Sequence, residues 1–408
     1  MEAVVEKFHQ FGLLEDFTIA METRIVKAHI DNAILNADKR HHIDADKRKS
    51  KMMAVILVLS ILVVTISAGL LYRKVLQHRS ARILTIDTVG QIAEERFVQV
   101  GGIEQWIQIR GEDRENPVLL ILHGGPGWPN ATFTVPLRSW EKYFTLVQWD
   151  HRGAGKTLRR NGKAESGEMT FARRVSDAIE LIDYLRDYLQ KDKVVLLAES
   201  MGTLTGIPLV KRRPDLFSAL VVTDLYVDMM QNEHLKYQMT LERLHALGNT
   251  KAIAALEKIG ADPKRWDLHD WNVNMDWAFK TNLPAPNLAR ELLLPLVLSS
   301  PIYSLRDIVA LFAGFQYSTV QMYEEIKAYN ALQLGTQFEI PFFVFQGESD
   351  VITLASLAKG YFSEIDAPIK KFSFIKDAGH FAAFTNADQF LSELLSQVRP
   401  LAVDQDRK

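Results

Sequence analysis

Three residues of this chain could together perform nucleophilic chemistry, namely Ser200, Asp350 and His380. Cysteine is absent, so a covalent nucleophile must be an oxygen or a nitrogen atom. A serine hydroxyl is a poor nucleophile at neutral pH and needs an imidazole as its general base. The imidazole in turn needs a carboxylate, which sets its tautomer and stabilises the imidazolium ion. We therefore predict acyl transfer with Ser200 as nucleophile, His380 as base and Asp350 as acid.

The segment around Ser200 has the layout of a nucleophile elbow, in which a serine occupies a tight turn between a strand and a helix. It reads VVLLAESMGT and continues into a helical pattern. Small residues must flank such a serine. Gly202 matches the second glycine of the motif G-x-S-x-G, whereas Ala198 replaces the first. The simpler alternative is that Ser200 is only the N-cap of the following helix.

Two further segments place the acid and the base directly after apolar strands. Asp350 ends the run FFVFQGESD, and His380 ends the run FSFIKDAGH. The chain order serine, acid, histidine is the one expected of an α/β-hydrolase triad. Glu348 and Asp377 are rival carboxylates, but Asp350 has the better position in its turn.

A glycine-rich turn follows another predicted strand, in VLLILHGGPG. Such a turn carries little side-chain bulk, so it can direct backbone N–H groups at the oxyanion that forms on an attacked carbonyl. We predict that the N–H groups of Gly125 and Met201 form the oxyanion hole. The rest of the predicted oxyanion loop consists of His123, Gly124, Pro126 and Gly127.

Short apolar runs separated by helical stretches fill the chain from about Thr85 onward. Unbroken apolar strands with intervening helices indicate an α/β fold, a mostly parallel sheet with helices on both faces. The interval from about Leu225 to Phe338 breaks this alternation and has a helical pattern, which indicates an inserted cap. The predicted domains are a first core part at residues 85–225, a helical cap at 226–337 and a second core part at 338–400.

A long apolar run precedes these elements. Met52 to Tyr72 contains no charged residue and lies between Lys51 and Arg73. As a helix it would span roughly 31 Å, about the hydrocarbon thickness of a bilayer. We predict one transmembrane helix at residues 52–72, with a buried core helix as the alternative. More basic residues precede this run than follow it, which favours a cytoplasmic N-terminus and a hydrolase domain on the opposite side.

The segment before the apolar run, residues 1–51, is rich in charge. Its apolar residues recur at steps of three or four, as on one face of an amphipathic helix. These residues are Val4, Phe8, Phe11, Leu14, Phe17, Met21 and Ile25.

The overall charge argues against a nucleic-acid partner. Lys and Arg number 48 and Asp and Glu number 50, so the formal net charge is -2. The run GAGKT at residues 153–157 resembles the end of a phosphate-binding loop, but Asp150 occupies the place of its first glycine. We expect no nucleotide, metal or organic cofactor. The expected partners are a small peptide or ester substrate and a lipid bilayer.

From roughly Glu94 to Val398 the chain resembles the proline iminopeptidase branch of the α/β-hydrolase fold. The resemblance rests on HGGPG at 123–127, WDHRGAGKT at 149–157, the elbow, and the Asp350 and His380 segments. It implies the same three catalytic roles, an oxyanion loop at 123–127, and release of N-terminal residues from short peptides. The elbow departs from the family, since it reads AESMGT where the family commonly has GGSWG.

Substrate choice is left open between several alternatives. An aminopeptidase must bind an α-ammonium group, which calls for carboxylates from the cap. The candidates there are Glu233, Glu257, Glu324 and Glu325. The aromatic residues Trp266, Trp271, Trp277 and Phe279 could line an apolar pocket or simply pack the core. Besides a membrane-tethered peptidase, the pattern allows a carboxylesterase or lipase-like hydrolase with the same triad, and a non-catalytic membrane binding protein on the same fold.

Overall fold

The computed structural model describes residues 13–281 and 289–403, without the side chains of residues 13–21, 38–47 and 289. The chain forms two compact units, Met1–Tyr72 and Arg73–Lys408, and each is described by itself. Helix α1 extends over Leu13–Ile83. Within it, the part Arg48–Ile83 is long and apolar enough to cross a membrane, judged by length and composition.

The predicted amphipathic face of the N-terminal segment falls mostly beyond these side chains. Val4, Phe8 and Phe11 lie outside the described residues. Leu14, Phe17 and Met21 belong to helix α1, in the part whose side chains are not described. Ile25 is exposed.

The second unit is built on one sheet, whose strands in the described part follow the order β1-β2-β4-β3-β5-β6-β7-β8. Strands β1, β2 and β4 pair antiparallel, and the pairs from β4 through β8 are parallel. This confirms the predicted mostly parallel sheet. The strands are β1 (Ile92–Val100), β2 (Ile103–Gly111), β3 (Val118–Leu122), β4 (Thr145–Asp150), β5 (Val194–Glu199), β6 (Phe217–Thr223), β7 (Phe342–Gly347) and β8 (Lys370–Ile375).

The central strands are buried on both faces, because helices cover the sheet on each side. Successive residues of β3 belong to different cores: Leu120 packs into one cluster and Leu119 into the other, and both are fully buried. This is why the strands read as unbroken apolar runs. The helices that follow α1 in this unit are α2 (Gly155–Asn161), α3 (Phe171–Leu189), α4 (Thr203–Arg212), α5 (Met229–Ala246), α6 (Thr250–Ile259), α7 (Leu268–Thr281), α8 (Leu294–Ser299), α9 (Leu305–Lys327), α10 (Ala355–Glu364), α11 (Ala382–Thr385), α12 (Ala387–Glu393) and α13 (Arg399–Val403).

Helices α5 to α9 all lie between strands β6 and β7. They occupy the interval in which the strand and helix alternation of the sequence is interrupted. We refer to them as the cap helices. Helix α9 begins with a capping box, in which Ser304 and Asp307 exchange hydrogen bonds between side chain and backbone.

A buried ion pair holds the β1–β2 hairpin against helix α3. The Arg152 guanidinium donates to Asp177 at 2.9 Å, and the Gln105 amide donates to the same carboxylate at 2.8 Å. Arg152 also donates to the carbonyl of Gly101 in the hairpin turn, at 2.7 Å. Asp177 has no exposed surface, so its charge depends on these donors.

We expect Asp177→Asn to lower the free energy of unfolding by about 3 kcal/mol, since it leaves the buried Arg152 charge without a counter-ion. Urea unfolding of the full chain in detergent micelles, followed by tryptophan fluorescence, measures this loss. The matched control is Asp183→Asn on the same helix, where the partly exposed pair with Arg186 should contribute less than about 1 kcal/mol. Equal losses in the two variants would contradict the prediction.

Candidate active site

Ser200 lies in a sharp turn between strand β5 and helix α4. Its backbone φ is 52°, a left-handed conformation that is strained for a residue with a side chain. The departure at Ala198 is accommodated by a neighbour on α4. A Cβ on Gly206 would lie 2.6 Å from the Ala198 Cβ, so the methyl group occupies the space that a second side chain would need. The sequence therefore keeps the tight strand-to-helix packing although it lacks the first glycine of the motif.

The structure brings Ser200, His380 and Asp350 into contact. Ser200 Oγ lies 3.1 Å from His380 Nε2, and His380 Nδ1 lies 3.0 Å from Asp350 Oδ2. All three side chains are buried. The rival carboxylates Glu348 and Asp377 are exposed. A hydroxyl hydrogen-bonded to an imidazole, which in turn faces a carboxylate, is an arrangement that can lose its proton to the imidazole.

The Asp350 carboxylate is fixed by its own turn. Its Oδ1 accepts the backbone N–H groups of Ile352 at 2.7 Å and Thr353 at 3.0 Å. Its Oδ2 accepts the Thr353 hydroxyl at 2.6 Å. These donors orient the carboxylate toward the imidazole and compensate its burial.

Two further carboxylates that no sequence motif marks lie beside His380. Glu199 is the last residue of β5 and Asp224 directly follows β6, and each offers an oxygen within 4.8 Å of the imidazole and of the other. Burial raises the pKa of Glu199 and raises that of Asp224 well above its usual value. The signal that could have found them is their place at the carboxyl ends of parallel strands.

The electrostatic balance at His380 favours the charged imidazole. Burial alone disfavours the imidazolium, but the nearby carboxylates, first Asp350 and then Asp224, outweigh it and raise the pKa of His380 to about 9. Glu199, Asp224 and His380 have ligand atoms close enough to one another to hold a metal ion. Both imidazole nitrogens, however, already face Ser200 and Asp350, which argues against that use.

The predicted oxyanion turn is joined to the elbow by Glu199. The Gly124 N–H donates to Glu199 Oε2 at 2.8 Å, and the Asn130 amide donates to the same oxygen at 3.2 Å. The Gly124 N–H is therefore committed to a structural bond, although Gly124 lines the cavity beside Ser200 together with Gly125 and Met201. The Pro126 carbonyl accepts from the buried Arg174.

The first and last residues of this turn have structural roles. His123 stacks on His151 with ring centroids 3.7 Å apart, and burial lowers the pKa of His123 to about 3. Gly127 approaches cap helix α9 so closely that a Cβ there would lie 2.5 Å from the Gly314 carbonyl oxygen. A Cβ on Gly314 would in turn lie 2.9 Å from the carbonyl oxygen of Gly153. The backbone of α9 thus contacts two loops at the site.

The charged groups in and beside the run GAGKT are bound within the protein. Asp150 Oδ2 accepts the Lys156 N–H at 2.7 Å at the start of helix α2, and the Lys156 ammonium pairs with Glu95 at 2.8 Å. The Tyr303 hydroxyl donates to Asp150 Oδ1 at 3.2 Å. Asp150 therefore joins a helix start to the segment between two cap helices.

A cavity of about 590 Å³ lies above Ser200 and His380 and is lined mainly by apolar side chains. Among the predicted aromatic residues, Trp271 and Phe279 line it, whereas Trp266 packs against Tyr237 and Trp277 does not reach it. Further apolar lining residues are Trp128, Met275, Val297, Phe312 and Phe315.

The predicted cap carboxylates do not line this cavity. Glu233 is fully buried and pairs with the Lys236 ammonium, while its second oxygen accepts the Asn274 amide at 3.1 Å. Glu257, Glu324 and Glu325 are exposed, and none of them lines the cavity. Among the described residues, the carboxylate that does so is Asp276, which lies 3.7 Å from the Lys280 ammonium. Helical periodicity predicted helices in this interval but could not tell which of their faces turns toward the site.

Comparison with known proteins agrees with this architecture. The family model described as alpha/beta hydrolase fold matches residues 117–387. The probable aminopeptidase YbaC of Bacillus subtilis is 26% identical over 317 residues, which is 76% of this chain and 97% of that protein.

Two solved structures share the fold at low sequence identity. A proline iminopeptidase-related protein from Thermus thermophilus superimposes with a TM-score of 0.51 at 20% identity, over 76% of this chain and 99% of that one. A bacterial membrane phospholipase A superimposes with a TM-score of 0.54 at 15% identity, over 86% of this chain and 99% of that one.

We expect Glu199→Ala to lower the free energy of unfolding by about 3 kcal/mol, because the buried donors of Gly124 and Asn130 lose their acceptor. Glu199→Gln keeps a carbonyl oxygen in the same place and should cost less. Urea unfolding of the full chain in detergent micelles compares the two variants. Equal losses, or no loss in either variant, would contradict this account of the Glu199 contacts.

Proposed function

The chain belongs to the alpha/beta hydrolase fold family, and we propose that it is a membrane-anchored serine hydrolase that cleaves acyl compounds through an acyl-enzyme. The observation that carries the proposal is the chain of two contacts, 3.1 Å from Ser200 to His380 and 3.0 Å from His380 to Asp350, at the floor of an apolar cavity. This geometry supports the proposed catalytic roles of Ser200, His380 and Asp350.

The reaction has two steps. His380 Nε2 takes the proton of Ser200 Oγ as the oxygen attacks the substrate carbonyl carbon, and Asp350 stabilises the imidazolium. The N–H groups of Gly125 and Met201 hold the oxyanion. The imidazolium then protonates the leaving group, and a water molecule activated by the same imidazole releases the acyl group from Ser200.

The cavity lining bears on the substrate class. Its walls are apolar, and Asp276 is already close to Lys280, so the described part of the cavity offers little to an α-ammonium group. This supports a carboxylic ester with an apolar acyl group as the substrate. The second candidate is removal of N-terminal residues from short peptides, as in the proline iminopeptidase branch, and the similarity to the probable aminopeptidase of Bacillus subtilis favours it.

Anchoring is proposed through residues 52–72, within the apolar part of helix α1. In this arrangement the N-terminus is cytoplasmic and the hydrolase domain lies across the membrane, which is the orientation that the distribution of basic residues favours.

We expect Ser200→Ala to reduce turnover by at least about 10⁴-fold, since the nucleophile is lost while the surrounding contacts remain. The assay uses the full chain in detergent micelles with matched short-chain esters, proline amides and other aminoacyl amides. Ester turnover that disappears in the variant supports an esterase, and amide turnover that disappears supports the aminopeptidase. Unchanged turnover in the variant would refute Ser200 as nucleophile. A wild type without turnover on any substrate would favour a binding protein.

The rate should also depend on the protonation of His380. A general base must be neutral, and its pKa is about 9, so kcat/KM should rise with pH up to an inflection near 9. Asp224→Asn removes a carboxylate that favours the imidazolium and should move the inflection down by about one pH unit. The exposed Asp377→Asn on the His380 loop is the control and should leave it in place. An inflection that does not move in Asp224→Asn would contradict the assignment.

A further inference from the structure

Cap helix α9 exposes an apolar stripe to solvent. Leu305, Val309 and Phe312 are exposed by 49%, 70% and 53%, and their spacing of four and three residues places them on one face of the helix. No charged residue occurs from position 308 to 323. Leu294, on the neighbouring helix α8, is also exposed. We call Leu294, Leu305, Val309 and Phe312 the apolar cap face.

This face borders the mouth of the cavity. Leu294 and Phe312 are exposed and at the same time line the cavity, so they form part of its rim. Polar residues also line the cavity, namely Asp276 and Lys280 from helix α7 and Arg290 just before α8. The α9 side of the entrance is therefore suited to an apolar medium and the α7 side to water.

The connection between helices α8 and α9 is bound to the segment that follows the apolar run. The Arg73 guanidinium is buried and donates to the Tyr303 carbonyl at 2.6 Å. The Gln77 amide donates to the Ser300 carbonyl at 2.9 Å. Arg73 directly follows the proposed membrane span in the chain. If residues 52–72 cross a bilayer, the connection between α8 and α9 is held at its surface.

We propose that the apolar cap face lies in the interfacial layer of the bilayer and that the cavity takes the acyl chain of a membrane-dissolved ester directly from it. This inference rests on the proposed function, which supplies the anchor and the ester chemistry. An exposed apolar stripe beside a membrane anchor is stabilised by insertion among acyl chains. The exposed Lys74 and Arg306 near the same connection can bind the phosphate groups of lipid headgroups.

The first test measures how deeply a label on the apolar cap face lies in the bilayer, and it does not depend on catalytic turnover. Because the chain has no cysteine, Val309→Cys can be labelled at one position with an environment-sensitive nitrobenzoxadiazole dye. The full chain is reconstituted in nanodiscs of phosphatidylcholine and phosphatidylglycerol, with and without doxyl-labelled lipid. We expect a blue-shifted emission and loss of about half of the fluorescence with doxyl lipid. Leu247→Cys, at an equally exposed leucine at the end of α5, is the control and should remain unquenched.

Several outcomes would overturn the proposal. An unquenched label at position 309 would place the apolar cap face in water. A blue shift without doxyl quenching would indicate a second copy or another protein as its partner. Quenching at both positions would indicate unspecific adsorption. Failure of the chain to enter nanodiscs would instead refute the proposed membrane anchor. Absence of ester turnover would refute the proposed ester hydrolysis, and the depth measurement would still stand.

A second readout tests access of substrate. Leu305→Glu with Val309→Glu changes two residues that do not line the cavity. We expect hydrolysis of a long-chain ester dissolved in the nanodisc to fall about tenfold, because the charged face leaves the interface. Hydrolysis of a soluble short-chain ester should stay unchanged. Leu247→Glu is the matched control. Equal turnover of the nanodisc ester in wild type and double variant would overturn the proposal.

Discussion

Burial of the sheet on both faces is the constraint on which the rest of the molecule depends. Strands packed between two apolar layers carry mainly apolar side chains along their length, so buried charged groups gather chiefly where the strands end. Because β3 to β8 run parallel, those ends meet at one edge of the sheet. The polar residues at this edge are His123 after β3, Asp150 at the end of β4, Glu199 at the end of β5, Asp224 after β6, Asp350 after β7 and His380 after β8. Burial is the main cause of the shifted pKa values of His123, Asp150, Glu199 and Asp224, whereas at His380 the neighbouring carboxylates outweigh burial.

The cap helices close this polar edge with an apolar surface. The ion pair of Glu233 with Lys236 is buried away from the cavity, and what the cap offers to a substrate is chiefly aromatic and aliphatic. The charged residues at the strand ends and the apolar residues of the cap can therefore serve different functions. The charged residues can transfer protons, while the apolar cavity lining can select an acyl group by size and shape.

Much of the core was predictable because an apolar run in the sequence indicates both where a buried strand lies and where it ends. Unbroken apolar runs predicted the parallel sheet, and the strand ends predicted that Ser200, Asp350 and His380 would meet. Glu199 and Asp224 obeyed the same rule but matched no motif, so their place beside the imidazole emerged only in three dimensions. The cap was less predictable. Helical periodicity does not indicate which face points inward, and the sequence does not show that Glu233, one of four candidate carboxylates, is paired with Lys236 one turn away.

The close packing of helix α9 restricts how the cap can move. Its backbone at Gly314 packs directly against the turn at Gly127 and the loop at Gly153, and the Ser318 hydroxyl donates to the Gly153 carbonyl at 3.1 Å. Such contacts leave no layer on which one surface could slide over the other, so this helix is in effect part of the rigid floor. Widening of the entrance is therefore expected at the opposite wall, formed by helix α7. The speed with which bulky molecules enter and leave would then be set by the mechanics of that wall alone.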